Sequence, residues 1–211
     1  IYGGAAAGAF VYVGIIILIG LLTSRWALGP KWIPIGQMQA GRVMAGEWWR
    51  TVTALTLHLD VGHIAGNLVF GAVFGFLAGQ ALGGGVAWLA IVIAGALGNF
   101  MNAMVQESSH TSMGASTAVF AALGVIVSHS LPPRASVQEK PLKRWSPLIG
   151  GILLFAFIGV HGENTDVVAH ITGFLAGLLI GWLGFGLPSQ WLGSQRVQQC
   201  AGAATIAIVA A

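Results

Sequence analysis

The first 22 residues contain no charged side chain, and within them AFVYVGIIILIGLL is apolar throughout. A helix needs about 20 mostly apolar residues to cross a bilayer, so positions 1–22 predict a first span. From Thr23 to about Leu57 the chain turns polar, with Trp and Pro among its charges, and is too charged to cross. From His63 to Gln106 no charge occurs, a run longer than one crossing can use. Gly83-Gly84-Gly85 divides it into a second span over about 64–82 and a third over about 86–105. A fourth is expected over about 113–131, stopping at Pro132-Pro133. The segment 132–145, with Arg134, Lys140, Lys143 and Arg144, reads as a loop. A short fifth span over about 146–160 and a sixth over about 167–187 follow, and 197–211 reads as the start of a truncated seventh.

The expected fold is therefore an all-α membrane protein, a six-helix bundle with part of a seventh span. It is organised as a first span (1–22), an outer loop with interfacial elements (23–62), a core of spans two to six (63–187), and a linker leading into the possible seventh span (188–211).

Composition agrees with this reading and removes others. Of 211 residues, 56% are hydrophobic and 7% charged, and the mean hydropathy is +0.83. A water-facing domain carries about 25% charged residues, so this set cannot build such a surface. The basic residues are scattered between apolar runs and form no basic face, so nucleic acid is not an expected partner. A single cysteine, Cys200, leaves no internal disulfide and no all-cysteine metal site. The chain opens at Ile1, which suggests a trimmed start; the apolar run lacks the basic flank and small-residue cleavage site of a signal peptide.

Charge also orients the spans. If they alternate, one side holds 23–62, 106–112 and 161–166, with net charge −1, and the other holds 83–85, 132–145 and 188–196, with net charge +4. The Lys and Arg excess marks the second side as cytoplasmic. Spans two, four and six then all begin at the outer face.

That arrangement brings four polar groups to one depth: His63 and Asn67 at the start of span two, Ser116 at the start of span four, and His170 near the start of span six. Ionisable groups in a membrane are costly and usually face the bundle interior or a wet cavity. Together these four have the parts needed to hydrolyse an amide. Ser116 offers a nucleophilic hydroxyl, and neutral His170 can take its proton and return it to a leaving amine. Gly114-Ala115-Ser116 lies at a helix start, where backbone amides lack intrahelical partners and suit an oxyanion. His63 and Asn67, four residues apart, share one helix face and can add side-chain donors. His170, Gly173, Gly177 and Gly181 form one stripe on span six, and Ser116, Phe120 and Gly124 a matching one on span four, so these two spans are expected to touch.

At these residues the sequence resembles the rhomboid family. The resemblance rests on Glu47-Trp48-Trp49-Arg50, His58, His63-Ile-Ala-Gly-Asn67, Gly114-Ala115-Ser116 and His170-Ile-Thr-Gly173-Phe-Leu-Ala-Gly177, in that order from about Glu47 to Gly181. It implies a six-helix core and an outer segment folded partly into the membrane face. It further implies a Ser–His dyad that opens outward and cuts transmembrane segments of other proteins, with no cofactor. By that match Ser116 is the nucleophile and His170 the base. His63, Asn67 and Ser116 serve the oxyanion, with Gly114, Phe120 and Gly173 in support. Phe120 stands where the family often has a tyrosine under the histidine. Thr117 stands where it usually has glycine, which puts catalytic efficiency in question more than the fold.

Other readings stay in view. A rhomboid-like pseudoprotease would bind transmembrane helices without cutting them; only Thr117 favours it. A transporter would need polar groups at several depths, and the inner halves of spans two, four and six hold almost none. His58, Asp60 and His63 form no H-E-x-x-H zinc pattern, so no metal is expected. Asp166, one turn before His170, could complete a triad but reads better as a solvated carboxylate, while His110, His129 and His161 have no evident partner. Trp48 and Trp49 suit an interfacial belt, and Arg50 suits a structural role in the outer segment. The lipid bilayer and transmembrane substrates are the expected partners, with a bacterial inner membrane as the expected location. The oligomeric state has no signature in the sequence.

Overall fold

The computed structural model describes residues 3–24, 30–131, 141–159, 165–184 and 186–210. Arg25, Arg134, Glu139, Lys140, His161 and Glu163, used above to weigh topology or as candidates, lie outside them, and the side chains of Lys143 and Arg144 are likewise not described.

The uncharged start forms helix α1 (Ala5–Thr23). A short 3-10 turn (Pro30–Trp32) then leads through α2 (Ile33–Gly36), β1 (Met38–Gln39), α3 (Ala40–Met44) and α4 (Arg50–Thr53). Two long helices follow, α5 (Val61–Leu82) and α6 (Gly84–Val105). After β2 (Thr111–Ser112) come α7 (Ser116–Ser130), α8 (Pro141–Gly159), α9 (Val167–Gly184), α10 (Ser189–Leu192) and α11 (Gln195–Ala210). Among the described residues α1, α5, α6 and α9 are long and apolar enough to cross a membrane, and α7 and the Trp145–Phe157 part of α8 are shorter apolar helices. The protein is an all-α integral membrane bundle.

Each glycine of the 83–85 triplet has a separate task. Gly83 takes φ +82°, a left-handed value that lets α5 stop and α6 start without a linker. A Cβ on Gly84 would fall 2.3 Å from the Gly4 carbonyl oxygen, and one on Gly85 1.9 Å from that of Gln198. The turn is thus packed between the starts of α1 and α11. Gln198 fastens it: its amide nitrogen, Nε2, donates to the Leu82 and Leu192 carbonyls, and its Oε1 accepts from the Val86 N–H. The expected seventh segment is a helix lying along α6.

Three boundaries differ from expectation. Helix α8 begins at Pro141, so 141–145 is helical rather than loop; proline is well suited to a first helical position because the missing N–H has no partner there. Helix α7 begins at Ser116 rather than 113, because Met38 and Gln39 pair antiparallel with Ser112 and Thr111 and Gly114 then takes φ +130°. Helix α9 stops at Gly184, short of 187.

The core centres on α7, whose residues from Thr117 to Val125 are all buried. Its closest neighbour is α9, as the matched stripes predict. A Cβ on Gly173, Gly177 or Gly181 would lie 2.4 Å from the Thr117 carbonyl oxygen, 2.1 Å from that of Ala121 and 2.9 Å from the Ser128 Cβ, respectively. Backbone-to-backbone approach of this kind needs residues without side chains. Helix α6 closes the other flank, where Gly98 sits against Gly173 and the Thr117 methyl group.

The outer segment is pinned by Arg50. Its side chain is buried, pairs with Glu47, and donates through Nη1 to the Pro34 and Gln37 carbonyls at 3.0 Å each. This is the structural role expected of it. Trp48 and Trp49 are exposed.

Candidate active site

Local capping sets the first wall of the site. Asp60 precedes α5, and its Oδ1 accepts from the His63 N–H at 2.8 Å, which satisfies one of the orphan amides of the first turn. His63 is thereby fixed in that turn, and Asn67 follows one turn deeper on the same face. The Asn67 carbonyl accepts from the Tyr12 hydroxyl of α1 at 2.7 Å. Its side-chain Nδ2, by contrast, is buried and has no hydrogen-bond partner among the described residues.

The second wall is the turn into α7. Gly114 needs to be glycine for its φ of +130° and for space, since a Cβ there would lie 2.6 Å from both Cε1 and Nε2 of His63 and 3.5 Å from the Ser116 Oγ. The His63 ring therefore lies over the Gly114 Cα, with the Ser116 hydroxyl close beside it. Two of the three amides expected to be available for an oxyanion are already engaged. The Gly114 N–H donates to the Ala54 carbonyl at 2.9 Å, and the Ala115 N–H to His58 Nε2 at 3.3 Å. Among the described residues the Ser116 amide, at the head of α7, is the one of the trio with no such bond.

His58 entered the sequence reading through the family pattern and as a weak metal-ligand candidate, and the structure gives it a different task. Its Nε2 accepts from Ala115, so the proton sits on Nδ1, which donates to the Thr56 carbonyl at 3.3 Å. The ring also meets His63 edge-on, with centroids 5.1 Å apart. Burial, reinforced by the neighbouring His63, lowers the His58 pKa to about 4, so the ring is neutral at physiological pH. Its acceptor lone pair is committed to a backbone amide and is not offered to a metal.

The third wall is α9. His170 is buried and lies over Phe120, with ring centroids 4.4 Å apart. Phe120 contacts Phe155 of α8, and Phe155 contacts Phe174, so the histidine rests on a packed aromatic base. Ser116, His170, His63 and Asn67 all line one cavity of about 570 Å³, together with Phe120 and Asp166. The four groups read from three separate helices are thus brought together. Gly173 lies outside the cavity, against the Thr117 backbone. Thr117 is buried, does not line the cavity, and directs its methyl group at Gly98 and Gly173.

Asp166 differs from the solvated carboxylate expected of it. It lies one residue before α9 and caps it, accepting from the Ala169 N–H at 3.0 Å. Its Oδ2 accepts from Asn102 Nδ2 of α6 at 2.8 Å and from His110 Nε2 at 2.9 Å. Burial opposes its ionisation, but hydrogen bonds from Ala169, His110, Ser112 and Asn102 outweigh this and hold its pKa below the usual carboxylate range. His110 thus has a partner after all. Asn102 and Asn99 escaped the sequence reading altogether; Asn99 Nδ2 donates to the Thr51 carbonyl at 2.8 Å and ties α6 to α4. The available signal was two asparagines three residues apart, on one face of an otherwise apolar span.

Chemically, the cavity offers a hydroxyl, an imidazole on an aromatic base, an unengaged amide donor and a backbone amide at a helix start. The Rhomboid domain profile matches residues 45–187. The chain is 32% identical over 142 residues to Rhomboid-like protease 2 of Toxoplasma gondii, covering 67% of this chain and 50% of that protein. It is 27% identical over 141 residues to the putative rhomboid protease YdcA of Bacillus subtilis, covering 67% of this chain and 69% of that one. A third relative, the rhomboid protease GluP of Bacillus subtilis, is 27% identical over 164 residues, 74% of this chain and 30% of GluP. The chain therefore spans about half the length of the Toxoplasma relative and less of GluP.

Proposed function

The chain belongs to the rhomboid family, and from that premise we propose that it is an intramembrane serine endopeptidase that uses Ser116 and His170 as a dyad. The observation that carries the reading is the buried Nδ2 of Asn67, without a hydrogen-bond partner among the described residues, in the cavity that Ser116 and His170 line. An orphaned buried donor costs about 1–3 kcal/mol, and a site that binds a developing oxyanion gives that cost a purpose.

In this mechanism the neutral His170 imidazole removes the Ser116 hydroxyl proton as Oγ attacks the scissile carbonyl. Negative charge builds on the carbonyl oxygen, where Asn67 Nδ2, the His63 imidazole N–H and the Ser116 backbone N–H can donate to it. Collapse breaks the C–N bond, and His170 passes its proton to the leaving amine. Water then attacks the acyl-serine with His170 again as base. The carboxylic acid departs, and the proton returns to Ser116 Oγ.

The substrate class follows from location. A cavity lined by residues of the apolar helices α5, α7 and α9 suits a segment arriving from the bilayer, namely a transmembrane stretch of another protein. Leu59 and Asp60, at the end of the outer segment, also line it, and the charge pattern of the sequence puts that segment on the side poorer in Lys and Arg. We therefore assign it to the non-cytoplasmic face, of a bacterial inner membrane. Thr117 does not weigh toward a pseudoprotease, because its side chain packs away from the cavity.

The test is cleavage of a generic transmembrane substrate by the protein in liposomes, beside Ser116→Ala and His170→Ala. Cleavage by the parent, and its loss in both variants, is the expected result. A well-folded parent that binds the substrate and leaves it intact would overturn the assignment.

A further inference from the structure

Two parts of the site reach it on separate pieces of chain. His170 stands on the first turn of α9, while Ser116, the first residue of α7, follows a non-helical segment, 106–115, that carries β2. Hydrolysis needs the two at a fixed separation, and a displacement of about 1 Å can cost on the order of a hundredfold in rate. The glycine contacts that bring the α7 and α9 backbones together begin at Thr117, one residue after Ser116. A tie between the outer ends of the two pieces adds to that contact.

Asp166 is placed to do so. Through Oδ1 it accepts from the amide of Ala169, the residue next to His170. Through Oδ2 it accepts from His110 Nε2 in the segment leading to Ser116, and from Asn102 Nδ2 at the end of α6. Ser112 faces Met38 in the strand pair, and the Ala40 N–H donates to the His110 carbonyl, so the segment is also joined to the outer elements. The Asn102 side chain is fully buried and the Asp166 side chain 16% exposed, so these charge-assisted bonds operate in a partly dry setting.

We propose that Asp166 is a positioning residue, a latch whose carboxylate holds the first turn of α9, with His170, in register with the segment that delivers Ser116. The role goes beyond the cap itself: one oxygen caps the helix and the other binds the serine-bearing segment. Nor is it that of a third triad member, since the hydrogen bonds described for Asp166 go to Asn102, His110 and Ala169. The inference rests on the protease reading for its effect on rate, but the mechanical tie stands on geometry alone.

Asp166→Asn separates the two functions. Asparagine is as good a helix cap as aspartate, so its oxygen can keep the Ala169 amide. Its Nδ2 would then face the donors of Asn102 and His110, from which it cannot accept. The experiment is backbone hydrogen–deuterium exchange on the full chain in liposomes, comparing the parent with Asp166→Asn, alongside kcat and KM for a transmembrane substrate. Expected in Asp166→Asn is exchange over 107–116 faster by about tenfold, on the scale of lost charge-assisted bonds, with 167–170 as in the parent. In the same variant kcat falls by about tenfold or more while KM stays within about twofold, as for a group misplaced only with respect to reaction. Unchanged exchange over 107–116 would overturn the latch, as would parent-like kcat in a variant whose segment has loosened. If the parent itself cleaves nothing and matches Ser116→Ala, the protease reading fails, and the exchange data alone decide whether the carboxylate ties the two segments.

Discussion

The imidazole of His63 lies over the Cα of Gly114, so closely that a Cβ there would come within 2.6 Å of two ring atoms. With φ at +130°, the position excludes any side chain on two grounds. Gly114→Ala is expected to push the ring away from Ser116 and twist the turn. Cleavage should fall by about a hundredfold or more, the scale set by losing an oxyanion donor, with a stability loss of about 1–3 kcal/mol. Parallel assays of cleavage and thermal unfolding check this; a fully active Gly114→Ala would show that the ring and the turn are not coupled.

Asn67 gives the opposite sign for stability and rate. Its Nδ2 is buried and has no hydrogen-bond partner among the described residues, so removing it relieves about 1–3 kcal/mol of desolvation. Asn67→Ala should therefore unfold no more easily than the parent, while its kcat drops by about 100- to 1,000-fold at similar KM. A variant that loses stability along with activity would identify Asn67 as a structural residue instead.

His58 makes stability depend on pH in a defined window. Its folded pKa is lowered to about 4 from an unfolded value near 6.5, so below about 6.5 the unfolded chain takes up a proton that the folded one refuses. The facing groups are His63, which adds to the shift, and Asp60, which opposes it. Stability from His58 is complete above about pH 6.5 and declines as pH falls toward 4, by up to about 3 kcal/mol. Unfolding followed from pH 7.5 to 4.5, with His58→Gln as reference, should show a slope in the parent that the variant lacks.

The α7–α9 seam should tolerate no added methyl group. A Cβ on Gly177 would meet the Ala121 carbonyl oxygen at 2.1 Å, backbone that cannot rotate aside. Gly177→Ala is expected to cost about 1–3 kcal/mol and to lower cleavage by separating the two helices. Gly184, with nothing near its Cβ position, provides the control: Gly184→Ala should change neither. Equal behaviour of the two variants in unfolding would rule out close packing at the seam.

Much of this was legible in the chain because membrane physics writes it in one dimension. Charge-free runs gave α1, α5, α6 and α9 to within a few residues, and the glycine stripe of α9 named α7 as its partner before any coordinates. His63, Asn67, Ser116 and His170 could be grouped because alternating spans fix which helix ends share a face. What escaped depends on contacts between distant residues that have no periodic trace. Nothing local joins Met38 to Ser112 or His110 to Asp166, and a carboxylate next to a predicted boundary looks solvated until three donors are found around it. The amides of Gly114 and Ala115 were misjudged for the same reason, since their acceptors, Ala54 and His58, belong to the outer segment.

Thr117 illustrates where such a seam leaves room for change. Its methyl group fills the space that Gly98 and Gly173 leave open, so the three positions share one fixed volume. A larger residue at either glycine would strike backbone first, since a Cβ on Gly173 falls 2.4 Å from the Thr117 carbonyl oxygen and one on Gly98 falls 2.7 Å from the Gly173 Cα. Shrinking Thr117 opens neither glycine, so the freedom left at this crossing belongs to the threonine position and not to Gly98 or Gly173.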